Sequence, residues 1–135
     1  MRPPLPLGKK LGLASVFLWF FIGGIAHFMF ADAEARIVPE WIPWPETVVF
    51  VSGILELLGA AGLLFCRTRS AAGWGLILLT VAVTPANIFM LQHAADFPNV
   101  PLWALVARLP LQVGLAWLIY WSAAQSRRRR SGAAA

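Results

Sequence analysis

Cysteine, histidine and charge are all scarce in this 135-residue sequence. Cys66 stands alone, which excludes a disulfide framework and a C-x-x-C redox motif. His27 and His93 with that single cysteine are too few for the chain by itself to hold a haem or a redox metal. A Gly-rich phosphate loop and a Ser-His-Asp set are also missing, so no catalytic motif marks an enzyme in its own right. Charged residues make up 13% of the chain, against about 25% in an ordinary soluble domain. Hydrophobic residues make up 59%, and the mean hydropathy is +0.71. An ordinary soluble domain is therefore excluded. A net charge of +5 and a pI near 10.7 would suit nucleic acid, but seven tryptophans and long apolar runs point to lipid instead.

A helix that crosses a bilayer needs about 20 mostly apolar residues. Four segments qualify, 11–30, 47–65, 71–90 and 103–121. The intervening loops, 31–46, 66–70 and 91–102, are short, so consecutive helices are expected to be antiparallel neighbours. The expected fold is all-α, an integral-membrane up-down four-helix bundle over 11–122, with a 1–10 tail and a basic 123–135 tail. The 2–8 start and the 131–135 end look disordered.

Arg2, Lys9, Lys10, Arg67, Arg69 and the arginine run 127–130 collect on one side of these spans with no acid among them. Asp32, Glu34, Glu40, Glu46 and Asp96 fall on the other side, with Arg36 as their sole basic companion. By the positive-inside rule both termini and the 66–70 turn are expected in the cytoplasm, and the expected location is the cytoplasmic (inner) membrane. An Ala31-Asp32-Ala33 site after the first apolar stretch resembles signal-peptide cleavage, but about 20 apolar residues exceed a signal h-region of about 7–15, so the first span is read as retained. Trp41, Trp44 and Trp103 at one boundary, with Trp74, Trp117, Tyr120 and Trp121 at the other, form an aromatic belt.

Each span carries a polar or small stripe at helical spacing. The stripes are Ser15, Trp19, Gly23 and His27; Ser52, Gly53, Glu56, Gly59 and Ala60; Thr80, Thr84 and Asn87; and Arg108 with Gln112. Polar groups facing lipid are costly, so all four stripes are expected to turn inward. At about 1.5 Å per residue, Glu56 and Gln112 lie about 14 Å below the outer end of their helices, Arg108 about 8 Å, and His27 and Asn87 about 5 Å. These five residues form the candidate ligand-binding or structural cluster, and it sits in the outer half. A charge inside the membrane costs about 2.5–3.5 kcal/mol on insertion scales, so Glu56 and Arg108 are expected to pair, with Asn87, Gln112 and His27 completing the hydrogen bonds. The same pair could serve only to fix helix order.

Pro85 and Pro110 lie inside spans and free the carbonyls of Val81 and Val106, which nearby side chains or water must satisfy. The outer segment from Ile37 to Pro45 carries three prolines and two tryptophans. It reads as a stiff cap over the mouth of the bundle.

His27-Phe28, Ile37-Val38-Pro39-Glu40-Trp41-Ile42-Pro43, Ser52-Gly53-Ile54-Leu55-Glu56-Leu57-Leu58-Gly59, Thr84-Pro85-Ala86-Asn87-Ile88-Phe89-Met90 and Arg108-Leu109-Pro110-Leu111-Gln112 occur in this order. Over about 12–122 this pattern resembles the small DoxX-family membrane proteins. The resemblance implies a four-helix membrane fold and recurring polar residues at Glu56, Asn87, Arg108 and Gln112. It also implies association with membrane oxidoreductase systems, such as thiosulfate:quinone oxidoreduction.

The leading expectation is an auxiliary subunit of a membrane redox system, with a redox-enzyme partner and no cofactor held by the chain alone. Its polar site would take a quinone headgroup or a similar small ligand, with Arg108, Asn87 or Gln112 donating to a carbonyl. The alternatives are a small-molecule or lipid transporter or binding protein, and a scaffold whose Glu56–Arg108 pair is architectural. The apolar outward surfaces leave a homodimer open.

Overall fold

The structure is a computed structural model that describes residues 3–127. Arg2, the side chains of the 127–130 arginine run and the 131–135 end lie outside the described residues. Helix α1 spans Leu7–Met29 and the short α2 spans Ala31–Ala35. They are followed by α3 (Pro45–Leu64), α4 (Arg69–Ala82), α5 (Thr84–Gln92) and α6 (Leu102–Ser122). Four stretches are long and apolar enough to cross a membrane: α1, α3, α6, and α4 with α5 taken together.

Where these helices start and break has local causes. Pro6 caps α1, and its fixed φ lets the helix begin at Leu7, one turn earlier than the composition predicts. Leu7 and Gly8 are therefore helical rather than part of a disordered tail. Pro45 opens α3, where its missing N–H is not needed. The preceding Trp44 sits at φ 53°, a left-handed conformation that costs a non-glycine residue about 1–2 kcal/mol. The third span is not one helix. Pro85 lies in the first turn of α5, and the break falls at Val83. Pro110, by contrast, is contained within an unbroken α6.

The long helices form a ring in which α1 packs on α3, α3 on α4, α4 on α6, and α6 on α1. Neighbours are antiparallel. Lys9 at the start of α1 lies 5.7 Å from the ring of Trp121 at the end of α6. Ser70 at the start of α4 donates to the carbonyl of Ala124 just past α6, at 3.2 Å. Close approach depends on small residues: a Cβ at Gly24 would lie 2.8 Å from the side chain of Leu57, and one at Gly59 would collide with Leu76.

The dry core, Val16, Phe20, Ala60, Leu63, Leu76, Ile119 and Ala123, fills the half of the bundle nearer the termini. Lys9, Lys10, Arg67 and Arg69 cluster at that end, while Asp32, Glu34, Glu40, Glu46 and Asp96 lie at the other. Phe50, Leu58, Leu78, Val81, Val106, Val113 and Trp117 are exposed around the waist.

Candidate functional site

The acidic half of the bundle contains a cavity of about 510 Å³. Trp19, Ile22, Gly23 and His27 of α1 line it, with Ser52 and Glu56 of α3, Leu79 and Ala82 of α4, Asn87 of α5 and Arg108 of α6. Ile37, Val38, Pro39 and Ile42 also line it, so the proline-rich segment covers the mouth as the sequence predicts. A second space of about 540 Å³ lies across Glu34, Ile37 and Arg108, which line both.

Glu56 takes His27 as its partner. The imidazole Nε2 lies 3.2 Å from the carboxylate Oε1, and the two side chains are only 15% and 12% exposed. An ionised carboxylate only accepts, so Nε2–H is the donor. Nδ1 is buried and has no partner among the described residues. The other oxygen, Oε2, lies 2.8 Å from where a Cβ on Gly23 would sit, so the carboxylate occupies the space that this glycine leaves. The close contact of α1 with α3 sets this geometry, since a Cβ at Gly53 would meet His27 at 2.8 Å.

The expected Glu56–Arg108 pair does not form. Among the described residues the side-chain partner of Glu56 is His27. Helices α3 and α6 are diagonal in the ring rather than adjacent, so the two charges face one cavity from opposite sides. The guanidinium of Arg108 instead donates from Nη1 to the thioether of Met90 at 2.9 Å.

Gln112 and Asn87 have a separate task. The Gln112 amide donates to the carbonyl of Thr80 and, at 2.6 Å, to Thr84 Oγ1. Its Oε1 accepts from Asn87 Nδ2 at 3.0 Å, and Thr84 also donates to the Thr80 carbonyl at 3.3 Å. These bonds close the helix break at Val83. The carbonyl they satisfy is that of Thr80, one residue before the expected Val81.

Of the five predicted residues, His27, Glu56, Asn87 and Arg108 line the cavity together, whereas Gln112 stands behind it. The first stripe is only partly inward. Ser15 is exposed and donates back to the carbonyl of Leu11 at 2.9 Å, and α1 buries Gly12, Val16, Phe20 and Gly24 instead. Sequence reasoning missed Glu34 and Met90. Nothing local separates Glu34 from the other loop acids, but Met90 lies three residues after Asn87 and so on the same helical face, a signal that was available.

No curated protein and no solved structure matches the chain. Comparison with known families matches residues 15–126 to a family described as Domain of unknown function (DUF8561). This overturns the DoxX resemblance. The short motifs behind that resemblance have general causes in such a bundle: glycines for close approach, prolines at breaks and caps, and a few polar residues in one half. The redox association drawn from it loses its support. By a match that covers nearly all of its four-helix region, the chain belongs to the family Domain of unknown function (DUF8561).

Proposed function

We propose that this is a multi-pass protein of the cytoplasmic membrane, with its basic end and both termini inside, and that its outer-half cavity binds a small amphipathic molecule. One observation carries the reading: an apolar cavity of about 510 Å³ holds two intramembrane charges, Glu56 and Arg108, that do not neutralise each other. Binding sites for small molecules are typically apolar concavities with a few convergent polar groups. Ionisable side chains within a span are functional candidates by default.

A quinone is the weaker occupant. It presents only acceptors, and of the three donors expected for it the Gln112 amide is fully engaged with Thr80 and Thr84, while Asn87 Nδ2 gives one of its two N–H groups to Gln112. Arg108 and the second N–H of Asn87 remain. A purely architectural scaffold loses the Glu56–Arg108 pair on which it rested. Transport is favoured by a specific observation, since Val83, the point where the third span breaks, itself lines the cavity. A partner enzyme supplying electrons would belong to the quinone reading.

The test is native mass spectrometry of the full chain extracted gently from its own membranes, beside Glu56→Gln and the cavity-filling Ala86→Phe. The expected result is a small molecule retained by wild type and lost from both variants. A wild-type protein free of any small molecule, or one whose adduct survives both substitutions, overturns the proposal.

A further inference from the structure

The cavity is not closed on all sides. Trp19 and Ile22 line it and are nonetheless 51% and 64% exposed, so they stand at an opening rather than behind a wall. Helix α6 meets α1 near the basic end, where Lys9 lies over Trp121, but contributes only Arg108 to the cavity lining among the described residues. The gap therefore runs between α1 and the acidic half of α6. It faces the apolar waist of the bundle. From His27 down to Trp19 the α1 wall extends about 12 Å, enough to take a substantial part of an acyl chain.

Charge narrows the headgroup. Arg108 and Glu34 line both the cavity and the adjoining space, so a group lodged at the junction meets a guanidinium and a carboxylate together. No ion pair joins these two residues, and among the described residues the guanidinium is held only by the Met90 thioether. Guanidinium binds phosphate well, through forked hydrogen bonds. A purely anionic headgroup would face Glu34 and, deeper, Glu56. One that also carries an ammonium matches both signs.

Resting on the reading of the cavity as a binding site, we propose that its ligand is a zwitterionic phospholipid of the outer leaflet. Its chain enters sideways between α1 and α6 onto Trp19 and Ile22. Its phosphate meets Arg108 and its ammonium meets Glu34.

The experiment reconstitutes the full chain in phosphatidylglycerol bilayers containing a minor fraction of phosphatidylethanolamine brominated on its acyl chains. The readout is quenching of Trp19 fluorescence, taken as the difference between wild type and Trp19→Phe. Brominated phosphatidylethanolamine should quench at fractions where brominated phosphatidylglycerol does not. Arg108→Gln and Glu34→Gln should each weaken that preference about tenfold, the loss of one charge-assisted contact. Equal quenching by the two lipids, or an unchanged preference in Arg108→Gln, overturns the proposal. Displacement by phosphoethanolamine lacking chains makes the source soluble and overturns lateral entry. A non-lipid adduct that Ala86→Phe removes would sink the lipid while keeping the binding site, whereas a protein that retains no adduct sinks both.

Discussion

At the scale of single residues, the partner of Glu56 decides which substitutions matter. His27 donates to its carboxylate across 3.2 Å, with both side chains largely shielded. Replacing His27 by leucine leaves a carboxylate in an apolar cavity, and breaking buried pairs in this way typically costs about 3–5 kcal/mol. Thermal unfolding in detergent should therefore show His27→Leu far less stable than wild type. Arg108→Gln, whose side chain is exposed and bonds a thioether, should melt close to wild type. The opposite ranking would restore the Glu56–Arg108 pair. That His27 partners Glu56 was not legible from spacing: an i, i+4 pattern gives the face of a helix but not which neighbouring helix meets it.

At the scale of elements, the break between α4 and α5 is a built feature. Pro85 cannot donate into the helix, and the bonds of Gln112, Asn87 and Thr84 tie the chain together around the Thr80 carbonyl beside the break. Gln112→Leu would leave the Asn87 amide without its acceptor and the Thr80 carbonyl with only Thr84. A buried polar group left unsatisfied costs about 1–3 kcal/mol. We expect a lower melting temperature together with faster amide exchange over 80–87. Exchange confined to the helix ends, with 80–87 as protected as in wild type, would show that the break needs no such support. The proline and the polar residues around it were readable in advance. The displacement of the bond to Thr80, and the break at Val83, depended on where α6 places Gln112.

At the scale of the whole molecule, basic and acidic side chains are segregated to opposite ends of the bundle. Cys66, exposed in the turn at the basic end and the lone cysteine of the chain, reports on orientation without any engineering. In intact cells it should resist a membrane-impermeant maleimide and react once the membrane is opened. A cysteine placed at Asp96 in a Cys66→Ser background should react from outside. Labelling of Cys66 in intact cells would invert the proposed topology. The packing has the same polarity as the charge, with a dry core toward the basic end and a cavity toward the acidic one.

Composition and local pattern by themselves determined four apolar stretches of spanning length, their limits to within about a turn, the charge asymmetry of the two ends and the stiff proline-rich cap. Each of these follows from short-range properties, hydropathy over one helix length and the backbone limits of proline, which need no knowledge of neighbours. The tertiary structure alone decided that Glu56 meets His27 and not Arg108, that Gln112 serves the helix break, and that Glu34 and Met90 join the site. Those outcomes depend on which helices are adjacent and which diagonal, and adjacency is set by glycine-mediated packing between helices distant in sequence.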